Sequence, residues 1–255
     1  MAHILAFAMQ KGGVAKTTSV LNIGGILAQR GARVLLVDLD AQASLTESLG
    51  VNTENLELTV YEVLLNPEHG AKAETLVTSA GVDLIPATIE LAGAELELAG
   101  KVGRELLLRE ALEQARNEYD YILIDPPPNL GLFTLNALAA ADAAIVPVAP
   151  GISAYRAMPR LENTIKVIRK LNPTLKFGGI FLTQVDRRKN LHYVIETKIR
   201  EQYKDLVFDT VIPLNSKVEE SPGAGQPVNL YAPGSQGDIA YAALAQELEA
   251  RYGRQ

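Results

Sequence analysis

Gln10-Lys11-Gly12-Gly13-Val14-Ala15-Lys16-Thr17-Thr18 decides the reading of this chain. The apolar run Ile4-Leu5-Ala6-Phe7-Ala8-Met9 before it reads as a short buried strand. The pattern from Thr17 to about Gln29 reads as a helix. A strand, a glycine loop and a helix opening on Lys-Thr form the context of a phosphate-binding loop. Backbone N–H groups of the loop and of the first helical turn converge on one point, where the helix dipole also favours an anion. Lys16 can neutralise β- and γ-phosphate oxygens, and the Thr17 hydroxyl can ligate Mg²⁺. A tight glycine turn alone would not need Lys-Thr at the start of the helix.

Two positions depart from the general pattern G-x-x-x-x-G-K-[ST]. It places glycine at 10 and 15, where this chain has Gln10 and Ala15. A methyl group at 15 is expected to hold φ negative there. A second lysine, Lys11, stands at the front of the loop.

Working outward, residues 33–37 read as a buried parallel strand that ends in Asp38-Leu39-Asp40-Ala41-Gln42. In parallel α/β sheets ligands sit beyond the carboxyl ends of the strands, so both acids are delivered to the phosphate end. A carboxylate there can hold Mg²⁺ or orient an attacking water. Asp120 to Asp125 is a second apolar run ending in an acid, and Asp125 is expected beside the metal. Further strands are expected over 82–86, 143–148, 177–184 and 207–212. Helices are expected over 89–98, 105–118, 130–139, 154–171, 191–203 and 238–252. The loop after 207–212, Pro213-Leu214-Asn215, falls where a purine should rest. Asn215 offers an amide to its edge and Pro213 an apolar face. The fold expected is α/β: one P-loop NTPase domain over 1–255, with a mostly parallel central sheet flanked by helices on both faces.

Composition narrows the function. The chain has 255 residues, 47% hydrophobic and 21% charged, which is ordinary for a globular protein. It has no Cys, which excludes disulfides, zinc–thiolate sites, iron–sulfur clusters and cysteine nucleophiles. The three histidines, His3, His69 and His192, have no metal-binding spacing. The first residues run straight into a strand, so neither a signal peptide nor a membrane span is expected, and the cytoplasm follows. Net charge is −6, but residues 151–204 hold twelve Lys and Arg against four Asp and Glu. That segment is +8 and the remainder −14, an asymmetry that points to a local anionic partner.

The form K-G-G-V-A-K-T-T at 11–18 resembles the deviant Walker A motif of the ParA/MinD superfamily. Val34–Gln42, Tyr119–Leu132 and Ile212–Tyr241 extend a resemblance to ParA/Soj partition ATPases over nearly the whole chain. The resemblance implies a homodimer formed as a sandwich around Mg-ATP, which binds DNA without sequence preference. A ParB-like partner would stimulate hydrolysis, and the protein would work in the cytoplasm on the nucleoid. It implies catalytic roles for Lys11, acting in trans on the partner's phosphates, and for Lys16 and Asp40. It implies phosphate contacts from Lys11, Gly12, Gly13, Val14, Ala15, Lys16, Thr17 and Thr18, and metal support from Thr17, Asp38 and Asp125. DNA contacts would come from Arg187, Arg188, Lys189 and Lys217. A family arginine expected at Leu214 is missing, which shifts the expectation toward Lys217 and the helix over 156–170.

Three other readings compete. A membrane-bound positioning ATPase of the MinD kind needs a basic amphipathic tail with bulky apolar residues. The tail over 242–255 mixes acids with arginines and has no Phe or Trp. Within the resemblance the cargo is open among chromosome, plasmid and protein clusters, whereas a metabolic enzyme on the same fold would show substrate-dependent turnover and no stimulation by DNA.

Overall fold

The computed structural model describes residues 1–54, 56–71 and 75–253. Residues 254 and 255 of the expected domain and tail lie outside the described residues. The strands are β1 (His3–Phe7), β2 (Val34–Asp38), β3 (Leu76–Val77), β4 (Asp83–Ile85), β5 (Tyr121–Asp125), β6 (Ala143–Val148), β7 (Lys176–Val185) and β8 (Val207–Pro213). They form one sheet in the order β3-β4-β2-β5-β1-β6-β7-β8. Every neighbouring pair is parallel except β3 with β4, so the sheet is mostly parallel, as expected.

The helices are α1 (Lys16–Gln29), α2 (Ser44–Ser48), α3 (Val60–Leu65), α4 (Leu91–Leu98), α5 (Leu107–Ala115), α6 (Leu132–Ala140), α7 (Ile152–Ile168), α8 (Asn190–Tyr203), α9 (Ser216–Glu220), α10 (Val228–Tyr231) and α11 (Gln236–Tyr252). Alternate residues of the central strands bury opposite faces, as the pleat requires. Ile4 and Ala6 of β1 join Leu35, Val37, Ile122 and Ile124 under residues of α3 to α8. Leu5 and Phe7 join Leu36 and Leu123 under residues of α1 and α11. With both faces covered, the strands read as continuous apolar runs and not as alternating ones.

Helix α1 is seated closely. A Cβ on Gly25 would lie 2.6 Å from Pro227 Cγ, so only glycine admits the chain just before α10 at this distance. Asn22 sits one turn earlier. Its Oδ1 accepts from Val228 N at 2.6 Å and its Nδ2 donates to Thr18 O at 2.7 Å. The start and the end of the chain are therefore stitched together beside the glycine loop. Helix α7 begins two residues before its sequence expectation and carries Pro159 in its interior.

Candidate nucleotide-binding site

The glycine loop leaves the carboxyl end of β1 and enters α1 at Lys16. Strand β5 lies between β1 and β2, and its register sets Asp125 directly opposite Asp38. Loop, Asp38 and Asp125 thus share one end of the sheet, as a parallel topology dictates.

Gly13 has φ +70°, and Ala15 has φ +54° and ψ +35°. The expectation of a negative φ at Ala15 is therefore overturned. The loop must turn left-handed one residue before α1 so that its N–H groups face inward, and Ala15 adopts that conformation in spite of its methyl group. The left-handed form costs a non-glycine residue about 1–2 kcal/mol.

Lys16 is 7% exposed, and its Nζ donates to Asp125 Oδ1 at 2.6 Å. The other oxygen, Asp125 Oδ2, is buried with no hydrogen-bond partner. An orphaned carboxylate oxygen at a phosphate-binding end suits a water or a divalent cation. Asp38 is fully buried; its Oδ2 accepts from Thr46 N at 2.9 Å and from Thr46 Oγ1 at 2.8 Å. Burial, reinforced by the neighbouring charge of Asp125, pushes the Asp38 carboxyl up to about 7. Asp40 is half-buried; its N donates to Asp38 Oδ1 at 3.2 Å, and its own Oδ1 accepts from Gln42 N at 3.0 Å. No cluster of three His, Cys, Asp or Glu that could hold a metal ion occurs among the described residues. A cation here would take its remaining ligands from the Thr17 hydroxyl, phosphate oxygens and water.

A cleft of about 310 Å³ is lined by residues 11–18 together with Asp40, Ser44, Pro128 and Pro222. Lys11, Lys16 and Asp40 therefore face one space. A second cavity of about 240 Å³ shares Ala15, Thr18 and Pro222 with it. Pro213 and Asn215 line this second cavity, where the sequence places the purine. Asn215 Oδ1 accepts from Lys217 N at 2.9 Å and caps α9, which leaves Nδ2 as the amide atom able to donate to a ligand.

The sequence reading missed Gln184, Tyr241 and Thr46. Gln184 lines the second cavity with φ +54°, a conformation that nothing about a glutamine announces. Tyr241 lines it too, and its hydroxyl lies 3.1 Å from Ser19 Oγ of α1. Thr46 carried no signal of its own, since Ser44 is the first hydroxyl after Asp38–Gln42, and it is the course of α2 that brings Thr46 back to Asp38.

The residues named for DNA come together in part. Register pairing of Val185 with Pro213 sets the loop over 186–189 beside Leu214, Asn215 and the start of α9, which carries Lys217. Three of the four cations there are paired. Arg188 grips Asp186 with Nε and Nη2, both at 2.9 Å, and holds that carboxyl well below the usual carboxylate range. Arg187 reaches Glu196 at 2.6 Å, and Lys217 reaches Glu220 at 2.8 Å. Lys189 is exposed and makes no ion pair among the described residues.

A strand-end loop that turns left-handed into a lysine-headed helix, facing two strand-end carboxylates, makes this an α/β protein of the P-loop NTPase class. The family model described as AAA domain matches residues 2–177. The chain is 42% identical to the sporulation initiation inhibitor protein Soj of Bacillus subtilis over 251 residues, covering 98% of this chain and 99% of Soj. It is 40% identical to the chromosome partitioning protein ParA of Myxococcus xanthus over 252 residues, covering 98% of this chain and 89% of that protein. The chain belongs to the ParA/Soj family of partition ATPases. Among solved structures, one described as cobyrinic acid a,c-diamide synthase from Mycobacterium smegmatis, with bound ATP analog and magnesium, superposes with a TM-score of 0.86. It is 38% identical and covers 100% of this chain and 98% of that one. The septum site-determining protein MinD from Pyrococcus horikoshii, complexed with Mg-ADP, superposes with a TM-score of 0.81 at 26% identity, covering 98% of this chain and 96% of MinD.

Proposed function

We propose that this chain binds and hydrolyses Mg-ATP and uses the nucleotide to switch a homodimer on and off DNA in chromosome or plasmid partition. The observation that carries the reading is the buried Lys16–Asp125 pair at the mouth of the glycine loop, with Asp125 Oδ2 left unpartnered. A cation beside Asp125 supplies charge neutralisation at the phosphates. In this reading the loop N–H groups and Lys16 hold the phosphates, while Thr17, Asp38 and Asp125 support the cation. Asp40, open to the cleft, orients the attacking water. Pro213 and Asn215 receive the base. Lys11, which lines the same cleft, reaches the phosphates of a second copy.

The same reading extends to partners. The loop holding Arg187, Arg188 and Lys189 and the start of α9 with Lys217 meet the DNA backbone, and a ParB-like protein accelerates turnover. No described helix is long and apolar enough to cross a membrane. Work on the nucleoid, in the cytoplasm, follows from the DNA-binding part of the proposal.

The testing experiment is DNA retention with no nucleotide, with ADP and with a slowly hydrolysed ATP analogue. Retention restricted to the analogue, and falling steeply with salt, is the expected result. Equal retention in all three states defeats the switch. Turnover that requires a small-molecule acceptor and ignores DNA would instead favour a ligase or synthase on this fold.

A further inference from the structure

Thr46 is fully buried, and it is the residue that contacts Asp38 most. Both its backbone N–H and its hydroxyl end on the same oxygen, Asp38 Oδ2. The hydroxyl oxygen in turn accepts from Ala87 N at 3.0 Å, in the segment that follows β4. A hydroxyl carries one proton. The Ala87 N–H occupies its acceptor side, so the proton is left to point at Asp38. The backbone after β4 thereby fixes the direction of donation.

An aspartate carboxylate turns easily about its last torsion, which has a broad profile. At Asp38 that freedom is removed. Two donors hold Oδ2, and the β-branched Thr46 is itself stiff at χ1. Oδ1 is left with a single bond, from Asp40 N at 3.2 Å, the longest of the three that Asp38 accepts. Oδ2 is thus held by two donors and Oδ1 by one longer bond, so Oδ1 is the less committed oxygen of a carboxylate buried at the strand end.

We propose that Thr46 is a positioning residue: by pinning Asp38 Oδ2 against Ala87, it presents Asp38 Oδ1 to the cation that accompanies the nucleotide. The proposal rests on the reading of the cleft as a Mg-ATP site. It goes beyond that reading by assigning to a residue with no contact to the ligand the control of cation affinity. Partners that orient a ligating carboxylate are typically worth about 10–100-fold in metal affinity.

The test titrates Mg²⁺ against binding of a fluorescent ATP analogue by the full chain, for wild type, Thr46→Ala, Thr46→Val, Thr46→Ser and Asp38→Asn. Thr46→Ala and Thr46→Val should raise the Mg²⁺ concentration at half-maximal binding by about 10-fold or more and leave analogue affinity in EDTA unchanged. Thr46→Ser, which keeps the hydroxyl, should stay within about threefold of wild type. Thr46→Val keeps the side-chain shape and answers the question if the alanine variant fails to fold. A wild-type midpoint in Thr46→Val, or a serine variant as impaired as valine, overturns the assignment. Asp38→Asn separates the two levels. If it shifts the midpoint while the Thr46 variants do not, only the role of Thr46 fails. If it shifts nothing, the cation role of Asp38 fails, and the proposal with it.

Discussion

Lys16 Nζ stands 2.6 Å from Asp125 Oδ1, and both side chains are almost wholly buried. The loop lysine is held by the strand-end carboxylate. An incoming phosphate must compete for the same ammonium, so nucleotide binding and the internal ion pair are linked.

Lys16→Ala should therefore lose twice. It removes the phosphate partner and leaves Asp125 buried without its counter-charge, a loss of about 3–5 kcal/mol when one member of a buried pair is deleted. Thermal melts check both effects. The variant should melt below wild type, and Mg-ATP should raise the melting temperature of wild type alone. A variant still stabilised by Mg-ATP would remove Lys16 from the site.

Ala15→Gly should stabilise the chain. The left-handed φ of +54° is relieved, while the added freedom of glycine in the unfolded chain offsets part of the gain. The net effect is about 1 kcal/mol or less, visible as a higher urea midpoint with an unchanged slope. A β-branched substitution, Ala15→Val, should move the midpoint the other way.

The paired arginines of the 186–189 loop give a sign test of the proposed DNA interface. Asp186→Asn releases Arg188 from both of its carboxylate bonds. It should tighten DNA binding and steepen its dependence on salt. Arg187→Glu with Arg188→Glu should weaken binding and leave ATP affinity alone. Filter retention across a salt series reads both. If neither change moves retention, the interface lies elsewhere, and the exposed Arg156, Arg160, Lys166 and Lys170 of the α7 segment become the place to look.

His192 supplies a pH dependence. Its Nδ1 accepts from Asp186 N at 3.1 Å, which requires the neutral ring. Burial first, and then the charge of Lys189, lower its proton affinity, with Asp186 opposing. The folded chain therefore binds that proton less readily than the unfolded chain. The associated stability is in full effect above the ordinary histidine value near 6.5 and is lost as pH falls through the lower folded value. Urea midpoints at pH 7.5 and 5.5 should drop more for wild type than for His192→Gln, which keeps an acceptor but does not titrate. Parallel drops would show that the bond contributes nothing.

The central strands were legible because both faces of a parallel sheet are buried, which makes runs such as Tyr121–Ile124 apolar throughout. The strand-end acids Asp38 and Asp125 could be read for the same reason, since a charge closing such a run has to fall at the end of the sheet. Strand β3, with two residues, and the five-residue α2 and α9 are too short to leave a period. Asn129 closes a turn onto Gly131 N, and at the start of α6 Glu95 of α4 takes Leu132 N in place of a local capping side chain. That substitution joins residues 37 apart and leaves no local pattern. The conformation of Ala15 was hidden because the composition of a loop gives the cost of a left-handed turn, and the surrounding fold decides whether it is imposed.

The first cavity is lined mainly by residues 11–18 and the second mainly by residues between Thr183 and Tyr241, and the two share Ala15, Thr18 and Pro222. During synthesis the loop emerges first and remains half a site for some two hundred residues. A chain released early carries the lysine and the glycines, yet has no floor for the rest of a ligand. A ligand that needs both parts is held only once the chain has folded through Tyr241.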